Sequence, residues 1–243
     1  MPSVREIKDI DKSRKVRDMF GTIASRYDFL NHFLSLNIDR RWRKICVKEV
    51  RNRISVSRPL ILDVGCGTAD LSLAFADLGS VVGCDFCHPM LCIGARKVLS
   101  GSTHRPISLL GADALMLPFA DASFDAVVSA FVLRNLSDID LGLREMRRVL
   151  RPGGVMGVLE FGMPRIPFLG GIYRWYFLQV LPRLGKLISG VDGPYGYLPS
   201  SVQAFPPVEE LKKRAESAGF RNVEYRLLTA GVAVLLVGKT DAE

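Results

Sequence analysis

The sequence holds no long apolar run, no internal repeat and no low-complexity segment. No stretch reaches the roughly 20 consecutive apolar residues of a bilayer span, so a membrane-spanning protein is not expected. The opening Met1-Pro2-Ser3-Val4-Arg5-Glu6-Ile7-Lys8 is charged and lacks the apolar run of a secretory leader. The five cysteines are odd in number and gather around one short unit, which argues against a disulfide framework. Both absences point to a cytoplasmic protein. Histidine is scarce, at three. Cys92 and His88 have no second pair at ligand spacing, so no metal is expected. Cys84-Asp85-Phe86-Cys87-His88 matches the c-type haem pattern, but it straddles a strand end and its loop, and haem is not expected either. Acids are the minority charge, 25 against 33 Lys and Arg, and the net +8 favours anionic partners such as nucleic acid or an acidic membrane surface.

What remains is a chain of 243 residues, 48% apolar and 24% charged, long enough to bury a full core as one α/β domain. Residues 60–64, Leu-Ile-Leu-Asp-Val, read as a strand buried on both faces. Gly65 and Gly67 follow as a bare-backbone turn that a ligand can approach closely. Leu71, Ala74, Phe75 and Leu78 lie at helical spacing before Gly79, and residues 81–85 form a second strand ending at Asp85, where such folds place an acid for ribose hydroxyls.

A dinucleotide site would put a third glycine where Asp70 stands. A carboxylate there repels phosphate, as does Asp63 just before the turn. Acids around a glycine turn suit a cationic ligand, and S-adenosyl-L-methionine carries both an ammonium and a sulfonium. The cofactor candidates are Asp63, Gly65, Gly67 and Asp85, joined by Asp113 at the end of the third strand (residues 107–110), where a carboxylate can accept from an adenine amino group.

The alternation continues. Pro89 opens a helix running to about Leu99. Residues 124–131 make a fourth strand leading into Val132-Leu133-Arg134-Asn135-Leu136, and Ser137 is the expected N-cap of a helix reaching Leu150. Arg151-Pro152-Gly153-Gly154 is a tight turn before a fifth strand over 155–161. Pro206-Pro207-Val208-Glu209-Glu210 opens a last helix that stops at Gly219, and residues 223–228 and 232–237 pair as a hairpin around Thr229-Ala230-Gly231. The fold class read from this alternation is α/β, a doubly wound, mostly parallel sheet.

Two segments stand outside this rhythm. Residues 1–58 are expected to form a helical N-terminal cap: Phe20, Ile23, Tyr27, Leu30 and Leu34 follow helical spacing, and 40–53 is a basic helix. Residues 162–207 are expected to be a substrate-capping insert between the core (59–161) and the terminal part (208–243). Its apolar, aromatic stretch 166–182 reads either as an amphipathic helix that tolerates lipid or as a core helix of the insert, and 195–201 as an irregular loop.

The chain resembles the C-methyltransferases of menaquinone and ubiquinone biosynthesis over roughly residues 16–239. The resemblance rests on Tyr27-Asp28-Phe29-Leu30-Asn31-His32-Phe33-Leu34-Ser35 with Trp42, Leu133-Arg134-Asn135, Arg148-Val149-Leu150-Arg151-Pro152-Gly153-Gly154 with Leu159-Glu160-Phe161, Tyr195-Gly196-Tyr197-Leu198-Pro199-Ser200-Ser201, and Thr229-Ala230-Gly231-Val232. It departs from the family pattern at Leu30 (usually methionine), Asp39 (usually histidine), Ala130 (often serine) and Gly162 (serine). The resemblance implies a seven-stranded, Rossmann-like class I methyltransferase fold for that sheet, and cofactor contacts for Thr68, Asp85, Asp113 and Ala114. It also implies methylation of a polyprenylated quinol ring, most directly demethylmenaquinol, with the benzoquinol step of ubiquinone biosynthesis or another apolar acceptor as alternatives.

A phenol titrates near ~10, so such chemistry needs a group that favours its anion. Arg134 is the candidate, with Asn135 orienting the ring; the other reading of Arg134 is a salt bridge that holds the cap shut. Tyr27, Asn31 and Tyr197 are further catalytic or substrate-binding candidates. Peripheral contact with anionic lipid is expected from the basic charge, and a homodimer is left open. Nucleic acid is not an expected partner. Ala130-Phe131-Val132-Leu133 is unlike the Asn/Asp-Pro-Pro-Tyr/Phe of base-directed enzymes, and no nucleophilic cysteine stands there. A non-catalytic quinone- or lipid-binding module is disfavoured by the intact acid set.

Overall fold

The structure, a computed structural model, describes residues 12, 14–24, 37–101, 105–164, 171, 175–180 and 194–242. The elements are a helix α1 over 14–24, α2 (Ile38–Arg51), β1 (Leu60–Val64), α3 (Asp70–Phe75), β2 (Ser80–Asp85), α4 (His88–Ser100), β3 (Ile107–Gly111) and β4 (Phe124–Ala130). There follow a 3-10 turn (Leu133–Asn135), α5 (Ile139–Arg148), β5 (Leu150–Phe161), a π-helical turn (Tyr176–Val180), α6 (Pro194–Ala204), α7 (Val208–Ser217), β6 (Arg221–Leu228), a second 3-10 turn (Thr229–Gly231) and β7 (Ala233–Lys239).

The seven strands form one sheet in the order β3-β2-β1-β4-β5-β7-β6, with β7 antiparallel to both its neighbours. The sequence order reverses between β1 and β4, and Leu62 pairs with Val82 on one side and Val127 on the other. At such a switch point the loops leaving the two strands diverge and open a crevice at their carboxyl ends. Successive residues of the apolar strands supply opposite faces. Leu62, Val127, Met156 and Leu236 meet α5 and α7 through Leu143, Met146 and Leu211. Ile61, Ala126, Val155 and Leu235 meet Trp42, Cys46 and Val50 of α2 and Phe75 of α3.

Helix α2 approaches the sheet closely because β5 carries Gly157 beneath it; a Cβ there would lie 2.5 Å from Val50 Cγ2. Gly157→Ala is expected to lift α2 and cost about 1–3 kcal/mol, read as a lower urea midpoint with an unchanged slope.

Three local expectations are corrected. Asp138, not Ser137, caps α5: its carboxylate accepts from Leu141 N at 2.8 Å, and an anion is favoured at that positive helix end. The helix ends at Arg148, so Leu150 already belongs to β5 and pairs with Phe124. The turn at 151–154 is therefore an irregularity within β5, where the register jumps before Ala126 pairs with Val155 and Gly153 takes φ 71°. Finally, 195–201 is helical, inside α6, despite Pro199. Leu198 and Val202, one turn apart, pack on Phe161, Met163 and Tyr176, and the Ser200 and Ser201 hydroxyls donate to the Tyr197 and Leu198 carbonyls, both at 2.9 Å. Tertiary packing outweighs the proline's local penalty. Tyr27, Asn31 and most of 166–182 lie outside the described residues.

Candidate active site

The crevice at the switch point is built first by glycine. Gly65 and Gly67 adopt φ 69° and 53°, the left-handed region, and the Gly65 and Cys66 amides both donate to Cys84 O, at 2.8 and 2.9 Å, folding the turn back over β2. A Cβ on Gly65 would meet Val132 Cγ2 at 2.4 Å, so the loops after β1 and β4 touch only because that side chain is absent.

Asp85, at the end of β2, holds this turn. One carboxylate oxygen accepts from Gly67 N and the other from Cys87 N, each at 2.8 Å. Burial raises its pKa, and these amides work against the rise. Asp113 accepts from Leu115 N at 2.9 Å and so shapes its own loop. Gly65, Gly67, Asp85, Asp113 and Ala114 line one narrow cavity of about 80 Å³, with Phe20 of α1, Met90 of α4, and Val132 and Asn135 after β4 completing it. The bare glycine backbone, apolar walls and two carboxylates suit a nucleoside with hydroxyls and an amino group to donate.

Asp63 and Thr68 do not line that cavity. Asp63 is 1% exposed and accepts from Ser72 Oγ at 2.6 Å, while its Oδ1 is buried without a hydrogen-bond partner. Burial pushes its pKa up to about 7, with Ser72 and the Arg43 charge opposing. Thr68 is buried and accepts from Lys97 Nζ at 3.3 Å. Asp70 bonds to Lys97 and lies 3.7 Å from Arg43, so its charge is met by cations of the protein itself. The acids that selected a cationic ligand in the sequence reading are thus divided. Asp63 and Asp70 serve the scaffold, and Asp85 and Asp113 face the cavity.

An expected consequence can be measured. An acid whose pKa is raised in the folded state binds protons that the unfolded chain has already released. Stability is then lost as pH climbs from about 4 through about 7. Asp63→Asn is expected to flatten that decline, a difference on the order of a few kcal/mol, in melting curves recorded from pH 4 to 9.

The loop after β4 carries the second half of the site. Phe131 sits at φ 64°, unusual for a bulky residue. Its amide donates to Leu159 O at 2.7 Å, and its carbonyl accepts from the Arg134 guanidinium and, at 3.2 Å, from Asn135 Nδ2. Its ring stacks on Phe161 at 4.3 Å, and Trp42 meets both rings edge-on, anchored by Nε1 donating to Thr229 Oγ1 at 2.8 Å. Arg43 lies over Phe131 and Arg134 over Phe161, at 5.7 and 5.2 Å.

Arg134 is buried. Its Nη1 donates to Glu160 Oε2 at 3.0 Å, and its Nε has no hydrogen-bond partner. Asn135 accepts from the Tyr197 hydroxyl at 3.1 Å, joining α6 to the rim. The structure therefore brings Arg134, Asn135 and Tyr197 together, and adds Glu160, which the sequence showed only as part of the fifth strand and its Leu159-Glu160-Phe161 motif. Signals for the ion pairs were present: Asp39 and Arg43, at i and i+4, form a buried pair on α2. Asp39, the departure from histidine, thereby holds Arg43 between the aromatic cluster and Asp70. Gly162, the departure from serine, has Gly231 O 2.6 Å from where a Cβ would stand, so this backbone arrangement admits no side chain there.

The remaining cysteine chemistry is quiet. Burial pushes the Cys46, Cys66 and Cys84 thiols far above their ordinary range. Among the described residues there is no group of three or more metal-ligating side chains. No described helix is long and apolar enough to cross a membrane.

A 3-2-1-4-5-7-6 sheet with a glycine turn and an acid-lined cavity at its carboxyl rim is the fold of the class I methyltransferases. A solved Thermotoga maritima structure, titled as an S-adenosylmethionine-dependent methyltransferase and possible histamine N-methyltransferase, shares the fold at TM-score 0.60 and 19% identity over 92% of this chain and 99% of that one. Residues 8–240 match the ubiE/COQ5 methyltransferase family, and the chain belongs to it. It is a C-methyltransferase of that family, and its methyl donor is S-adenosyl-L-methionine. The demethylmenaquinone methyltransferase of Deinococcus radiodurans is 44% identical over 94% of this chain and 93% of its own length. That of Thermus thermophilus is 48% identical over 90% and 99%. The ubiquinone/menaquinone biosynthesis C-methyltransferase UbiE of Geotalea uraniireducens is 42% identical over 94% and 97%.

Proposed function

We propose that the chain methylates a ring carbon of a polyprenylated quinol, with demethylmenaquinol as the acceptor and menaquinol as the product. The observation that carries this reading is the juxtaposition, at one rim, of an acid-lined cavity that reaches Asn135 with a buried Arg134 whose Nε lacks a hydrogen-bond partner. Bound S-adenosylmethionine supplies an already activated methyl group, so the protein's work is alignment and ionisation of the acceptor. Gly65, Gly67, Asp85, Asp113 and Ala114 hold the nucleoside, with Thr68 and Asp63 bracing the turn from behind. Arg134 favours the quinolate as a fixed cation in a site shielded from water, and Asn135, steadied by Tyr197, orients the ring. Tyr27 and Asn31 belong to the same proposal as acceptor contacts from the N-terminal cap.

The cap reading has its own support. Phe20 lines the nucleoside cavity, and the free volume there falls below the roughly 300 Å³ at which small-molecule sites begin. Cofactor entry therefore displaces Phe20 and the α1 helix that carries it. Lys12 Nζ, which donates to Leu136 O, ties that end of the chain to the rim.

Peripheral contact with anionic lipid, from the cytoplasmic side, fits the net charge of +8 and the exposed Trp175 of the insert. Purified protein with methyl-labelled S-adenosylmethionine and detergent-dispersed acceptors tests the whole reading. Product from a reduced demethylnaphthoquinol is expected. Product only from the benzoquinol moves the enzyme to the ubiquinone branch, and product from neither overturns the proposal.

A further inference from the structure

A second cavity, of about 520 Å³, is lined by Glu160, the partner of Arg134. It runs between the carboxyl end of β5, the start of β7 and the first turn of α7, a volume within the ordinary range for small-molecule sites. Val158, Met163, Val202, Leu211, Val234 and Leu236 give it apolar walls. At its edge Leu227 is 53% exposed, an apolar side chain where an apolar ligand could pass. Two carboxylates border it. Glu209 is exposed at the outer end on α7, whereas Glu160 is 1% exposed. The two cavities are linked through one ion pair: Glu160 lines this one, and its partner Arg134 is the chain neighbour of Asn135, which lines the other.

We propose that the quinol acceptor occupies this second cavity and that Glu160 takes the ring-hydroxyl proton as the ring carbon attacks. The inference rests on the quinol reading above. Arg134 cannot serve as that base, since a guanidinium stays protonated. Asp85 and Asp113 face the nucleoside side and already accept from backbone amides.

Glu160 Oε2 accepts from Arg134 Nη1 at 3.0 Å and Phe161 N at 3.1 Å. Oε1 has only the long 3.3 Å bond from Arg134 N, which leaves it room for the incoming proton. The groups that face Glu160 are Arg134 from the 3-10 turn, Tyr197 from α6 and, more distantly, Glu209 from α7. Burial raises the carboxyl's pKa and Arg134 lowers it, the balance lying upward, toward the acceptor it must deprotonate.

The step balances. The hydroxyl proton goes to Glu160 Oε1, and the ring carbon forms its bond to the methyl group. The sulfur–methyl bond breaks with its electron pair left on sulfur. The ring is then a neutral dienone bearing both methyl and hydrogen at one carbon. That hydrogen leaves to solvent as a proton while Glu160 returns its own to the ring oxygen, restoring the quinol and the carboxylate.

The test uses the full chain with Glu160→Gln and Glu160→Asp, against quinols of graded acidity made by fluorination. With the parent quinol, Glu160→Gln is expected to lower kcat by about 10²–10⁴-fold, with S-adenosylmethionine affinity by calorimetry within about threefold. Glu160→Asp is expected to recover part of the loss. The deficit should shrink as the acceptor becomes acid enough to ionise unaided. A deficit of equal size across the acceptor series, or no deficit, overturns the role of Glu160. If the wild type methylates no quinol at all, it is the underlying reading that fails. Leu227→Glu tests the chamber separately and is expected to raise the KM of a prenylated acceptor about tenfold relative to a tailless one; an unchanged ratio removes the acceptor from this cavity.

Discussion

Gly65→Ala is expected to raise the S-adenosylmethionine Kd at least 100-fold and to destabilise the protein by about 2–4 kcal/mol. Two separate effects add. At φ 69° an alanine pays the left-handed penalty of about 1–2 kcal/mol. Its Cβ also falls 2.4 and 2.7 Å from the two methyls of Val132. Because Val132 is short and branched, no rotamer change clears that contact, and the loop after β4 has to retreat. That loop lines the nucleoside cavity and carries Arg134, so the retreat opens the cavity and shifts the Arg134–Glu160 pair. Combining the change with Val132→Ala divides the effects. The double variant is expected to regain the steric part of the stability and keep the backbone part, with cofactor affinity recovering only partly. Calorimetric titration and thermal melts measure both. A Gly65→Ala protein that binds the cofactor normally would show that the turn is not the cradle.

The elements with a strong period were legible from the residues. β1, β2 and the α4 helix opened by Pro89 fall where apolar runs, glycine stops and the proline placed them, and the alternation of strands and helices gave the parallel core. The terminal hairpin was legible for the same reason. The insertion of β7 between β5 and β6 was not, since strand order depends on contacts between residues far apart in the chain, such as Glu160 with Val234. Helix α6 escaped because Pro199 and three neighbouring turn-formers argue locally for a loop, while the packing of Leu198 and Val202 that decides the matter is not local.

The site divides along the same line. Gly65, Gly67, Asp85 and Asp113 were found because each follows directly on a strand end, and strand ends are visible in sequence. The electrostatic argument attached to Asp63 and Asp70 did not carry over, because it assumed that nearby acids lack partners. Lys97 lies 27 residues from Asp70, and no spacing rule predicts that bond. Arg134 with Glu160 is the same case at 26 residues. A salt bridge was one of the two readings of Arg134, but nothing in the sequence named the partner.

Arg134→Met separates the two readings of that arginine. Its removal leaves Glu160, 1% exposed, without its cation. Stranding one member of a buried pair costs about 3–5 kcal/mol, the largest stability loss expected from a single substitution of a charged residue here. The variant's Glu160 is held protonated to a higher pH than before. Its stability is then lost as pH rises through that higher pKa, so the deficit against wild type is expected to be largest above neutrality and to narrow toward pH 5. Arg134→Met/Glu160→Gln removes both charges and is expected to recover most of the lost stability, since a neutral pair of similar size needs no counter-charge. Turnover is expected to behave differently. The double variant lacks the Glu160 carboxylate as well, so its turnover is compared with that of Glu160→Gln alone, below which kcat is expected to fall further for want of the cation, with cofactor affinity near normal. If the double variant matched Glu160→Gln in turnover while its stability recovered, Arg134 would be a strut that holds the rim closed and nothing more. The electrostatic role requires the two curves to part, because a cation that stabilises developing charge cannot be replaced by packing that merely fills its volume.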